Sequence, residues 1–217
     1  MKIQPTKDGS YTLYVEELDE TYHSTHGAIQ EARHVFIENG IKLINKKNIS
    51  VLEVGFGTGL HTVLTQAYAE NNGVFIDYSG IETVPLDESI IRHLNYTQEL
   101  EEIDSKSFDL IHRTDWDSIQ NISTYFNLIK INSSIQKFNS NDSYDIVYYD
   151  AFGPRAQIEM WDIAIFEKLY GFLNANGILV TYCAMGQFKR DLRACGFEVK
   201  SVPGPPGKRE MTIAIKN

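Results

Sequence analysis

Ile49-Ser50-Val51-Leu52-Glu53-Val54, running straight into Gly55-Phe56-Gly57-Thr58-Gly59 and then Leu60, decides the fold of this chain. The first six residues predict a short buried strand, and the stretch from Leu60 to Glu70 predicts a helix behind the glycines. Glycines at alternate positions let the backbone turn tightly and approach a ligand without Cβ clashes, while the helix that follows offers unpaired N–H groups. That is the pattern of a loop for a nucleotide-type cofactor. A dinucleotide loop needs its third glycine one residue later, where Leu60 stands, so the ligand is of another kind. A plain strand-to-helix turn fits the same glycines, and the choice falls to other residues.

Working outward, strands alternate with helices. Tyr11 to Val15 predicts an N-terminal strand or hairpin, and Gly27 to Asn39 a helix with Ala28, Ala32, Val35 and Phe36 on one face. Gly73 to Glu82 is the second core strand and Leu86 to Asn95 a helix. Tyr96 to Asn121 is a polar region expected to be helical insertion material. Phe126 to Ile131, Tyr144 to Asp150 and Gly177 to Tyr182 are the third, fourth and fifth strands, with helices at Met160 to Leu173 and Gly186 to Cys195. Phe197 to Lys200 and Met211 to Ile215 close the chain as a β pair around a Pro-Gly-rich loop. The expected fold is α/β: a doubly wound, Rossmann-like, mostly parallel sheet with an antiparallel C-terminal edge and an N-terminal β/α extension. The expected division is 1–45 for the extension and 46–217 for the cofactor-binding domain.

At 217 residues the chain has room for one such domain. Two cysteines, Cys183 and Cys195, are too few for a disulfide framework, and the start of the chain has no apolar leader. A cytoplasmic setting without membrane contact is expected. The net charge of −9 speaks against a nucleic-acid partner, but it is unevenly spread. Residues 181–217 hold seven basic and three acidic side chains, net +4, leaving −13 on the rest. A basic end on an acidic body can steer a polyanion to one face, or can be an ordinary solvated surface.

In doubly wound sheets ligands bind beyond the carboxyl ends of the strands. Glu82 ends the second strand, where a carboxylate can accept both hydroxyls of a ribose. Asp150 ends the fourth, ahead of Ala151-Phe152-Gly153-Pro154, and is placed either to meet a substrate or to cap the next helix. His23, His26 and His34 lie close in sequence at intervals wrong for one helical face, with no Cys or acid completing a ligand pattern, so no metal is expected.

The glycine loop after Leu-Glu-Val resembles motif I of S-adenosylmethionine (SAM) methyltransferases. Together with Asp150-Ala151-Phe152-Gly153-Pro154 through Met160-Trp161, Thr181-Tyr182-Cys183-Ala184, Arg190-Asp191-Leu192-Arg193, and Gly207-Lys208-Arg209-Glu210-Met211, it resembles one family. That family is the methyltransferase half of the bacterial tRNA (5-methylaminomethyl-2-thiouridylate) methyltransferases. Tyr22-His23-Ser24 and Glu31-Ala32-Arg33-His34-Val35-Phe36 resemble its segment before the first core strand.

The resemblance implies SAM as cofactor, held by Gly55, Phe56, Gly57, Thr58, Gly59 and Glu82. It implies a 5-aminomethyl group on wobble (2-thio)uridine of a tRNA anticodon stem-loop as substrate, methylated to 5-methylaminomethyl. Asp150 would be catalytic, with Phe152, Glu31, Arg33, Lys208 and Arg209 binding the substrate. Many members are fused to an oxidase for which this chain has no length, so a separate enzyme would supply the intermediate. Members often carry an acid after the third strand for the adenine amino group; here Asn132 stands there. Methylation of a small-molecule amine and an aminopropyltransferase-like reaction are the alternatives.

Overall fold

The computed structural model describes residues 1–217. Three short strands, β1 (Lys2–Pro5), β2 (Tyr11–Val15) and β3 (Glu20–Thr21), make an antiparallel N-terminal sheet. Helix α1 (Ala28–Ala32) continues into wider π-helical turns over Arg33–Glu38. Its buried Ala28, Ile29, Ala32, Val35 and Phe36 form the apolar face foreseen in the sequence.

Strand β4 (Asn48–Val54) is followed by α2 (Leu60–Asn72) and β5 (Phe75–Glu82). Short helices α3 (Glu88–Ile91), α4 (Tyr96–Glu99) and α5 (Ser105–Arg113) lead to a hairpin of β6 (Ile119–Ser123) and β7 (Phe126–Asn132). Then come β8 (Tyr144–Tyr149), α6 (Ile163–Phe172), β9 (Leu173–Thr181), α7 (Gly186–Ala194), β10 (Phe197–Pro203) and β11 (Glu210–Lys216). The main sheet has the order β10-β11-β9-β8-β4-β5-β7-β6. Its five central strands are parallel, and β11 joins β9 antiparallel, as the missing helix before the last strand required.

The polar stretch over 96–121 departs from its expected all-helical form. Its last three residues open the edge strand Ile119–Ser123, which pairs antiparallel with β7. Such a strand faces water on much of its surface, so the sequence Ile-Gln-Asn-Ile-Ser carries little apolar signal. The helix expected over 86–95 shrinks to Glu88–Ile91, capped by Asp87 and burying no residue.

Side chains alternate across β4. Ile49 and Val51 enter the core under α2, whereas Leu52 and Val54 enter the core under α6 and α7. Tyr148 and Tyr149 of β8 divide in the same way. Leu13 and Phe36 belong to the same continuous core as Val51 and Val63, so the N-terminal residues complete a face of the main sheet. Phe36 is 1% exposed, its ring 5.0 Å from that of Tyr148. Phe36→Ala is therefore expected to destabilise the chain by ~3–5 kcal/mol in a single urea transition. Separate transitions for residues 1–45 and for the remainder would show two independent cores.

Candidate active site

In the parallel register Val54 pairs with Ile81 on one side and Tyr149 on the other. Gly55, Glu82 and Asp150 therefore leave the sheet at one level. The backbone is pulled tight there: Gly55 N–H and Phe56 N–H both donate to the Ile81 carbonyl, and Asp150 N–H donates to that of Val54. Gly55 has φ +96°, and a Cβ on it would lie 2.7 Å from the Asp150 carbonyl oxygen. Gly57 has φ +50°, with the Tyr22 ring 3.0 Å from where its Cβ would be. Only glycine satisfies both the left-handed conformation and the contact.

A cavity of about 310 Å³ opens over these strand ends. Gly55, Phe56, Gly57 and Glu82 line one part and Asp150, Phe152, Tyr22, Tyr182, Glu31 and Lys208 another. The Glu82 carboxylate accepts from the N–H groups of Gly57 at 3.0 Å, Thr83 at 2.8 Å and Val84 at 2.9 Å. The Thr83 hydroxyl also reaches Oε1, at 3.5 Å, whereas Oε2 accepts from Gly57 alone and has a position open for a ligand hydroxyl. The glycine cradle, with space above it and a carboxylate beside it, fits a nucleoside cofactor without a pyrophosphate.

On the other side, the rings of Tyr22 and Phe152 meet edge to face at 5.0 Å. The Lys208 ammonium lies 3.9 Å from the centre of the Tyr182 ring and is paired with Glu31. Glu31 also accepts from Ser24 N–H at 2.9 Å. These contacts join the N-terminal segment to the β10–β11 loop across the cavity wall.

Asp150 has a side chain 12% exposed, and Nε2 of His61 lies 3.6 Å from its Oδ2. Burial raises its pKa to about 7, the His61 charge opposing and the charges of Glu31 and Glu53 adding to the rise. Glu53, fully buried in β4, is met by Nδ1 of His61 at 2.8 Å and by the Thr62 hydroxyl at 3.2 Å. His23 lies beside them, its Nε2 at 2.7 Å from the Thr58 hydroxyl. Burial, then the His61 charge, lower its pKa to about 3, so it stays neutral.

Several residues chosen from sequence are not brought to the cavity. Thr58 is wholly buried and its hydroxyl engages His23 and Tyr96, so it braces the loop from behind. Gly59, at φ +71°, opens α2 against the His112 ring. Asn132 donates its N–H to Asp117, and Ser133, Ser134 and Ile135 reach the cavity in its place. Arg33 pairs with Glu102 on the outside, and Arg209 has a side chain 95% exposed. His26 and His34 go elsewhere, to Lys7 and to the Pro203 carbonyl.

Two residues behind Asp150 had escaped notice. Glu53 was quoted only as part of the loop motif, although a carboxylate inside Val-Leu-Glu-Val, in a strand buried on both faces, needs a partner. His61, eight residues on and in the first turn of α2, is that partner.

The profile of a family described as S-adenosyl-L-methionine-dependent methyltransferase matches residues 101–217. An uncharacterized protein of Methanocaldococcus jannaschii is 27% identical, over 98% of this chain and 58% of its own length. The tRNA 5-methylaminomethyl-2-thiouridine biosynthesis bifunctional protein MnmC of Leptospira interrogans is 30% identical over 96% of this chain. That of Ralstonia nicotianae is 28% identical over 94%. The chain spans about a third of the length of these two bifunctional relatives, 34% and 33%. The crystal structure of MnmC2 from Aquifex aeolicus superposes with a TM-score of 0.80 at 25% identity, covering 98% of this chain and 69% of that one.

The geometry makes two predictions. Gly57→Val places a β-branched side chain at positive φ against Tyr22, and SAM binding followed by calorimetry is expected to be lost while circular dichroism is unchanged. Asp150 has a folded-state pKa above its unfolded value, so its contribution to stability is full below pH ~4 and lost as pH rises through 7. Asp150→Asn is therefore expected to be more stable than wild type at pH 8.5 by a few kcal/mol on the order of the shift. The advantage narrows as pH falls from 7 toward 4, which urea unfolding across pH will read.

Proposed function

The chain belongs to the S-adenosyl-L-methionine-dependent methyltransferases, and from that premise we propose that it methylates the 5-aminomethyl nitrogen of wobble (2-thio)uridine in tRNA. The observation carrying this is Asp150: a carboxylate only 12% exposed, in the same cavity as the glycine loop, walled by Phe152, Tyr22 and Tyr182. The names of the bifunctional relatives, which contain the tRNA nucleoside itself, support the same substrate.

SAM, when bound, supplies a methyl carbon made electrophilic by its sulfonium. The backbone of Gly55 to Gly57 would hold its amino-acid part, and Glu82 its ribose. Ser133 and Ser134, beyond β7, are the polar groups offered to the adenine. The remaining task is to present an unprotonated amine in line with the methyl, which is a matter of positioning.

An alkylamine arrives protonated near neutral pH. Asp150, with a pKa of about 7, attracts that cation and accepts its proton with a smaller mismatch than a carboxylate at its ordinary value of about 4. Phe152 and Tyr22 give the extruded base two aromatic faces, and such stacking is worth about 1–3 kcal/mol per base. Lys208, held by Glu31 and Tyr182, is placed to meet a phosphate or base edge at the rim, and Arg209 projects outward for the tRNA backbone. The protein would work in the cytoplasm, downstream of a separate enzyme that makes the aminomethyl group. No helix is long and apolar enough to cross a membrane.

Asp150→Asn is expected to keep SAM affinity and lose ~10²–10⁴-fold in single-turnover transfer to aminomethyl-modified tRNA. Wild-type rates in that variant would reduce Asp150 to a loop-capping residue. Arg209→Ala is expected to weaken tRNA binding across sequences and to lower the salt slope by about 1 in gel shifts. Transfer to free amines but not to tRNA would move the substrate to the small-molecule class.

A further inference from the structure

Behind Asp150 the interior holds a line of ionisable groups that sheet packing does not call for. Glu53 sits one residue from the end of β4 at 0% exposure, where an apolar residue would cost nothing. A buried carboxylate left unpaired costs several kcal/mol. His61 relieves it through Nδ1 at 2.8 Å; in a neutral ring facing an ionised Glu53 the N–H lies toward Glu53, and the lone pair of Nε2 then faces Asp150 at 3.6 Å. Phe36, 4.1 Å from the imidazole between ring centres, and Tyr148, at 6.5 Å, pack against it. From cavity to core the order is Asp150, His61, Glu53.

We propose that His61, held by Glu53, is a positioning residue that takes over the proton Asp150 removes from the substrate ammonium. The inference rests on the amine-methylation reading above. In the step an N–H bond of the ammonium breaks and its electron pair stays on nitrogen as the nucleophile. The proton bonds to Asp150 and, in molecules whose His61 is neutral, passes to Nε2 once the 3.6 Å gap closes to hydrogen-bond distance, giving an imidazolium between two carboxylates and returning Asp150 to its ionised form. When the product leaves, the proton returns through Asp150 to solvent in the cavity. One proton moves, and no oxidant or further reactant is needed.

The surrounding charges favour this direction. Burial works against an imidazolium at His61, but the charge of Asp150 and the hydrogen bond and charge of Glu53 outweigh it, and its pKa is raised. Glu31, reaching in from α1, acts in the same sense. Lys208, on the β10–β11 loop, opposes protonation of Asp150. His23, the other imidazole in contact, stays neutral and does not compete for the proton.

The test separates the proton relay from the substrate assignment. The Cε1–H resonance of His61, assigned from its through-space contacts to the Phe36 and Tyr148 rings, is followed by NMR from pH 5 to 9 in the protein without substrate. Expected is a titration above the ordinary imidazole value of ~6.5, moving down by about one pH unit in Asp150→Asn. No titration in that range, or one indifferent to Asp150→Asn, overturns the coupling.

His61→Asn keeps an amide donor for Glu53 but has no titrating nitrogen. It is expected to bind SAM as wild type does and to transfer methyl about 10²-fold more slowly at pH 7, with the acid limb of its pH profile displaced. Unchanged rate and profile overturn the relay. If the variant does not fold, the NMR titration decides. Absence of transfer by wild type to aminomethyl-tRNA sinks the substrate reading instead, a result the NMR titration does not share.

Discussion

The hydrogen-bonded register of β4 between β5 and β8 is the constraint on which everything else hangs. Because Val54 is opposite both Ile81 and Tyr149, three strands end together and their next residues share one small volume. A slip of one residue on either side would turn every side chain of that strand to the opposite face. It would also carry Glu82 or Asp150 out of the cavity. The register is held by the core itself: Leu52 and Tyr149 on one face, Val51 and Tyr148 on the other, all 0% exposed. The hydrophobic effect that stabilises the sheet is thus also what aligns the chemistry.

Against that apolar setting, the cluster of Glu53, His61 and Asp150 is costly. Folding would be more favourable with apolar residues of similar volume in its place, since buried ionic groups seldom recover their desolvation in full. Their presence is the kind of local conflict that concentrates at functional sites. The π-helical turns over Arg33–Glu38 lie beside it and place Phe36 against His61, the two rings tilted by 45°. Such turns are frequent where a site needs a side chain slightly off the regular helical direction.

Much of the fold was legible because its signals are local. Parallel core strands such as Val51-Leu52-Glu53-Val54 and Ile146-Val147-Tyr148-Tyr149 are short apolar runs between turn residues. The glycines after β4 announce the ligand side of the sheet. Edge strand β6 was not legible, because none of its five residues is buried and its pairing partner alone defines it. The site was readable where residues stand at strand ends, as Gly55, Glu82 and Asp150 do. It was not readable where position depends on contacts distant in sequence. Arg33 and Lys208 are both cations in matching motifs, yet one is drawn outward by Glu102 and the other inward by Glu31 and Tyr182. Thr58 belongs to the loop but turns its hydroxyl into the core, toward His23 and Tyr96.

The contact between Lys208 and Glu31 spans 177 residues of chain, and it closes one side of the cavity. Around it, Gly207, at φ +87°, packs against His26, and Gly204 lies under the Lys208 carbonyl. Loop closure over such a separation is entropically unfavourable until the sheet between has formed, so this wall is set late in folding. During synthesis the cofactor loop, β5 and even Asp150 emerge well before residue 208 can return to residue 31. A growing chain would thus acquire the glycine loop before the wall that Lys208 and Glu31 close. The far wall of the cavity is in that sense a property of the finished molecule.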